Sequence, residues 1–222
     1  MSVILRGMFA DIPAAVVAFA LVAGLVTITP GLDTALVLRS ALTQGRKSAY
    51  ATALGICTGC LVWGVAAAVG VSAVLTASTA AYTVLKLVGA AYLIWLGLRW
   101  LIASVRRSGP AASSVQDMES PRVRGWAAWR QGFWVNLLNP KIGAFYVALL
   151  PQFIPTDVSP VLMGALLAAV HSVEGIVWFS LIIAGAHAMR TWLHRPRVQR
   201  GMNGVTGATL IGFGVALALP ER

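Results

Sequence analysis

Apolar residues along this chain come in runs too long and too continuous for the alternating faces of a soluble fold. Six can be read, at about 14–38, 51–75, 82–103, 129–150, 161–188 and 203–219. Each is close to the roughly 20 residues that a helix needs to cross a bilayer. A helix that is apolar on every side is one surrounded by protein or lipid. The longest connection, 104–124, reads SVRRSGPAASSVQDMESPRVR and has the Ser- and Pro-rich composition of a flexible linker. The pattern therefore predicts an all-α polytopic membrane protein of six transmembrane helices in two halves. Residues 1–103 hold the first three spans, 104–128 the linker and 129–222 the last three. With three spans per half, the second half enters the membrane from the opposite side, so an internal duplication would have inverted topology.

Two of the runs are interrupted. The first contains Ile28-Thr29-Pro30-Gly31-Leu32-Asp33-Thr34, and the fourth contains Asn136-Leu137-Leu138-Asn139-Pro140-Lys141. Proline removes a backbone donor and clashes with the turn before it, so both motifs predict broken helices. The breaks occupy corresponding places: Gly55 follows Pro30 by 25 residues and Gly164 follows Pro140 by 24. Small residues at Gly55, Gly59 and Gly64, at Gly89, and at Gly201, Gly204 and Gly207 predict close helix packing.

Composition agrees with the pattern. Of 222 residues, 58% are hydrophobic and only 11% charged, with a mean hydropathy of +0.80, against about 25% charged in soluble domains. The net charge of +10 is not a nucleic-acid footprint, because 13 of the 17 basic residues fall in the odd-numbered connections between spans, counting those at the span ends. Connections 76–81 and 151–160 hold none. The positive-inside rule makes the odd connections cytoplasmic and puts both termini outside. Asp33 then stands in the cytoplasmic half of the first span. No cleavable signal peptide is evident, and the first span is expected to be retained.

Charge inside the spans is costly unless it is paired or faces a wet cavity. Asp33, Lys86, Lys141 and Glu174 are the four such groups. Asp33, beside Thr29, Pro30 and Gly31, suits a substrate ammonium, a coupling proton, or a simple helix cap. Lys141 suits a substrate carboxylate or a pairing with Asp33, and Asn136 and Asn139, both ahead of Pro140, add neutral donors and acceptors. His171 and Glu174 share a helix face at i,i+3, which suits a proton relay or a partner for Lys86; Lys86 itself reads as structural. Cys57 and Cys60 form a C-x-x-C pair within a span. They fit either a membrane thiol–disulfide electron relay or two small apolar residues in packing. With three histidines in all and no clustering with cysteine, neither a metal site nor a cofactor is expected.

The linked motifs Ile28-Thr-Pro-Gly-Leu-Asp33-Thr, Ser40-Ala-Leu-Thr-Gln-Gly45-Arg-Lys, Ala53-Leu-Gly55, Lys86-Leu-Val-Gly89-Ala-Ala-Tyr92-Leu-Ile-Trp95-Leu-Gly97, Asn136-Leu-Leu-Asn-Pro140-Lys141 and Pro151-Gln-Phe153 together resemble the lysine-exporter type family, which includes homoserine/threonine exporters. The resemblance covers nearly the whole chain. It implies a bacterial inner-membrane protein of about six spans, pairing as a homodimer and using an ion gradient to export amino acids or their relatives. The family commonly has a second proline after Thr-Pro-Gly, where this chain has Leu32. The combined expectation is a secondary transporter for a small zwitterionic substrate, coupled to protons and embedded in the lipid bilayer. The competing readings are the Cys57/Cys60 relay and an exporter of another small metabolite or cation.

Overall fold

The computed structural model describes residues 11–77, 79–105, 125–155, 157–193 and 195–218, and among them every regular element is helical. The order is α1 (Ile12–Ile28), α2 (Leu32–Thr43), α3 (Arg46–Ala77), α4 (Thr79–Val105), α5 (Gly125–Leu137), α6 (Pro140–Leu149), a 3₁₀ turn (Leu150–Phe153), α7 (Pro160–Ala184), α8 (Ala186–Leu193) and α9 (Pro196–Ala218). Three helices, in α3, α4 and α7, are long and apolar enough to cross a membrane, and α1–α2 and α5–α6 each qualify as one bent span. The sixth span expected at 203–219 overlaps α9, which is not among the helices that meet this test over the described residues. Much of the linker, 106–124, falls outside the described residues, as do residues 1–10 and 219–222, Ser78, Thr156 and His194.

Both breaks form where the sequence places them. Ahead of Pro30, Thr29 takes the extended backbone (φ −68°, ψ 119°) that a following proline imposes, and α2 restarts at Leu32 with a bend of 55°. In the second span, α5 stops at Leu137 and Pro140 opens α6 with a bend of 56°. Proline suits that first helical position because its missing N–H would be unpaired there anyway. The turn from α2 to α3 needs a glycine. Gly45 has φ +89°, and its amide donates back to the Ser40 carbonyl at 3.0 Å, a left-handed helix stop.

Helix α3 lies between α5 and α7, with its backbone against both. A Cβ on Gly55 would strike the Trp129 carbonyl of α5, and one on Gly132 the Thr52 carbonyl of α3. On the other side Gly64 and Gly164 face each other, each 2.8 Å from the other's carbonyl oxygen once a Cβ is added. Gly97 and Gly207 do the same between α4 and α9, at 2.7 Å. Such small-residue seams let helices gain dispersion contacts where lipid offers no hydrophobic drive. Of the three glycines opening the last predicted span, only Gly207 packs this way, and Gly201 meets nothing within 4 Å.

Phe19 of α1, fully buried, sits between Phe145 and Phe153 at ring distances of 5.6 and 5.5 Å, fastening the first broken helix to the second. The outer surface carries large apolar side chains such as Leu21, Leu162 and Val173, which suits a lipid-facing wall. Span five ends earlier than the apolar run suggests. α7 stops at Ala184 beside Gly185, and residues 186–193 form the separate short helix α8.

Candidate functional site

The two broken helices meet. Pro30 has no N–H, so the Val26 carbonyl four residues earlier loses its helical donor. That carbonyl is taken by the Lys141 ammonium, whose Nζ donates to the Val26 and Thr29 carbonyls at 2.9 Å each. An ammonium at a helix C-terminus also meets the negative end of the helix dipole. Lys141 thus completes α1 from the other half of the chain, using two of its three donors. The Thr29 hydroxyl turns the other way, onto the Leu25 carbonyl at 2.7 Å. Gly31 is extended and needs no left-handed backbone; a Cβ there would lie 3.7 Å from Lys141 Nζ.

Asp33 lies in the first turn of α2 and is buried. Its Oδ2 accepts from Asn136 Nδ2 at 2.9 Å, while its Oδ1 is buried with no partner. Asp33 and Lys141, weighed as a pair from the sequence, are close enough to act on each other electrostatically, while the lysine's hydrogen bonds go to carbonyls and the acid's to an amide. Asn136, fully buried at the end of α5, also reaches Cys60 Sγ at 3.4 Å. Gly59 gives it room, since a Cβ there would fall 2.5 Å from Asn136 Oδ1. Asn139 lines the same cavity as Asp33 and also acts on its own helix. Its Oδ1 accepts the Lys141 amide at 3.1 Å and caps α6.

His171 and Glu174 share a face of α7 but serve different neighbours. His171 Nδ1 lies 2.9 Å from the Tyr146 hydroxyl, and its ring meets Phe145 edge-on. Glu174 faces Gly24 of α1: a Cβ on that glycine would be 3.8 Å from Oε1, and Oε2 is buried without a partner. Tyr146 was not singled out by sequence reasoning, although a tyrosine five residues past Lys141 in an apolar helix needs a partner for its hydroxyl.

Between these groups is a small cavity of about 30 Å³, lined by Thr27, Asp33, Asn139, Lys141 and His171 among others. That is room for a few water molecules and not for an amino acid. Both cysteines are free thiols. Cys57 donates to the Ser172 carbonyl at 3.5 Å, Ser172 returns a bond to the Cys57 carbonyl at 3.3 Å, and Cys60 accepts from Asn136. Both thiols are buried in contacts between helices, and the electron-relay reading finds no support. Among the described residues no three His, Cys, Asp or Glu side chains group as a metal site.

Comparison with known proteins agrees with the geometry. The family model described as LysE type translocator matches residues 25–221. An uncharacterized membrane protein of Bacillus subtilis is 32% identical over 200 residues, covering 89% of this chain and 95% of its own. The homoserine/homoserine lactone efflux protein of Salmonella typhimurium is 28% identical, covering 90% of this chain and 94% of its own. The threonine efflux protein of the same organism is 26% identical, covering 86% and 91%. No solved structure matches the chain.

Proposed function

The chain belongs to the LysE type translocator family, a membrane transporter and not an enzyme, and from that premise we propose that it exports a small amino acid or amino-acid derivative across the bacterial inner membrane, driven by the proton motive force. The two halves form inverted repeats of three spans, with α9 as the sixth and both termini outside. The near-equal bends of 55° and 56° in corresponding spans support this arrangement. Alternating access follows from rocking one half against the other around the site where the breaks meet.

One observation carries the reading: Asp33, whose Oδ1 is a buried acceptor with no hydrogen-bond partner, lines the same cavity as the Lys141 ammonium. Asp33 receives the substrate's amino group through that oxygen, while Asn136 holds the other. The substrate's carboxylate is met by Lys141 and by the first-turn amides of α2, which precede its first helical bond from Ala35 to Gly31. Asn139 and Pro140 fix Lys141 in place, and Thr29, Pro30 and Gly31 supply the gap it fills.

The test is counterflow of labelled L-threonine or L-homoserine in proteoliposomes. Asp33→Asn removes a charge-assisted bond worth about 1.5–3 kcal/mol, so uptake falls roughly tenfold to a hundredfold with the thermal unfolding profile retained. Wild-type counterflow in this variant would refute the assignment.

A further inference from the structure

A coupling group must gain and lose its proton in every cycle, so no fixed donor or cation can be committed to it. Asp33 meets that condition only in part: Asn136 donates to its Oδ2 at 2.9 Å and the Lys141 cation acts on it, leaving Oδ1 alone without a partner. Glu174 meets it in full. Its carboxylate lies against Gly24 on the α1–α7 seam, with Oε2 buried and unpartnered. Two further buried polar atoms without partners lie on the same two helices, Thr27 Oγ1 one turn beyond Gly24 and Trp178 Nε1 one turn beyond Glu174. Buried polar atoms are nearly always satisfied, by water where not by protein. Thr27 and Glu174 thus put unpartnered polar atoms on the two helices that meet at Gly24, and Thr27 also lines the central cavity. A hydroxyl both donates and accepts, which is what a relay between cavity and carboxylate needs.

We propose that Glu174 carries the coupling proton and that Thr27 connects it to the substrate cavity, leaving Asp33 to the substrate. The proposal rests on the exporter reading and divides its labour. The proton arrives from the outer aqueous phase, binds a Glu174 carboxylate oxygen, and is released to the cytoplasm, while substrate moves outward. The other titratable groups around the seam have their own positions. His171, one turn back on α7, is engaged by Tyr146 of α6; Asp33 of α2 is held by Asn136; Lys141 of α6 is on the Val26 and Thr29 carbonyls; Cys57 of α3 is on Ser172. Cys60 of α3 accepts from Asn136, and α1 carries no titratable side chain.

The experiment compares two rates in proteoliposomes loaded with L-threonine or L-homoserine: transport driven by an imposed pH gradient, and counterflow without one. In Glu174→Gln the ratio of gradient-driven transport to counterflow falls at least tenfold. In Thr27→Val, which removes only a hydroxyl, it falls several-fold. A merely structural glutamate would lower both rates together, so a wild-type ratio in folded Glu174→Gln overturns the proposal. If that variant does not fold, a wild-type ratio in Thr27→Val overturns it instead. Absence of counterflow by the wild-type protein for both amino acids would refute the exporter reading itself, and this inference with it.

Discussion

Replacing Pro30 by alanine should leave the protein about as stable as before and yet stop it working. Alanine supplies the N–H that proline lacks, aimed at the Val26 carbonyl four residues earlier, and helical propensity favours alanine over proline by about 3 kcal/mol. The new bond competes with Lys141 Nζ, which now donates to that carbonyl at 2.9 Å. Losing one hydrogen bond to a charged group costs about 1.5–3 kcal/mol, and the freer unfolded chain takes back about 0.4–1 kcal/mol. These terms nearly cancel, placing Pro30→Ala within about 1.5 kcal/mol of the wild type. The geometry does not cancel: the 55° bend relaxes and Lys141 loses one of its two anchors beside the cavity. The measurements are thermal unfolding of the purified protein in lipid nanodiscs and counterflow of L-threonine in proteoliposomes. The expected result is a near-native melting temperature with counterflow reduced at least tenfold. Full counterflow, or a loss of stability far above 1.5 kcal/mol, would show that the break is not organised around the Val26 carbonyl.

Gly55→Ala should cost about 1–3 kcal/mol through overpacking, since its Cβ meets the Trp129 carbonyl of α5, whereas Gly212→Ala, with nothing within 4 Å, should be neutral or stabilising by up to about 1 kcal/mol; paired melting curves decide it. Cys57→Ser with Cys60→Ser keeps a donor toward Ser172 and an acceptor for Asn136, so counterflow and its insensitivity to reductants should match the wild type, and a reductant-sensitive wild type would argue otherwise.

The breaks at Pro30 and Pro140 were legible because proline acts on its own backbone, whatever surrounds it. So was the tight packing at Gly55, Gly59 and Gly64. The destination of Lys141 was only half legible. That Pro30 orphans the Val26 carbonyl follows from local geometry, but that the donor is an ammonium 115 residues away does not. The direction of Glu174 was hidden for a different reason. Helices apolar all round have no stripe to tell the protein side from the lipid side, so a sequence offers Glu174 several neighbours and only the packing selects Gly24. The same uniformity hid the end of α7, where apolar residues continue past Gly185 into α8.

The two broken spans have almost the same shape and very different dependence. α6 carries its own cap, Asn139, wherever it moves. α1 borrows its cap from Lys141 on α6, so parting the two helices strips two carbonyls at once. At about 1.5–3 kcal/mol for each hydrogen bond to a charged group, separation must find roughly 3–6 kcal/mol from water or substrate. An unloaded carrier of this design idles shut. On the proposed reading, the lysine that meets the cargo is the same one that holds the two broken helices together.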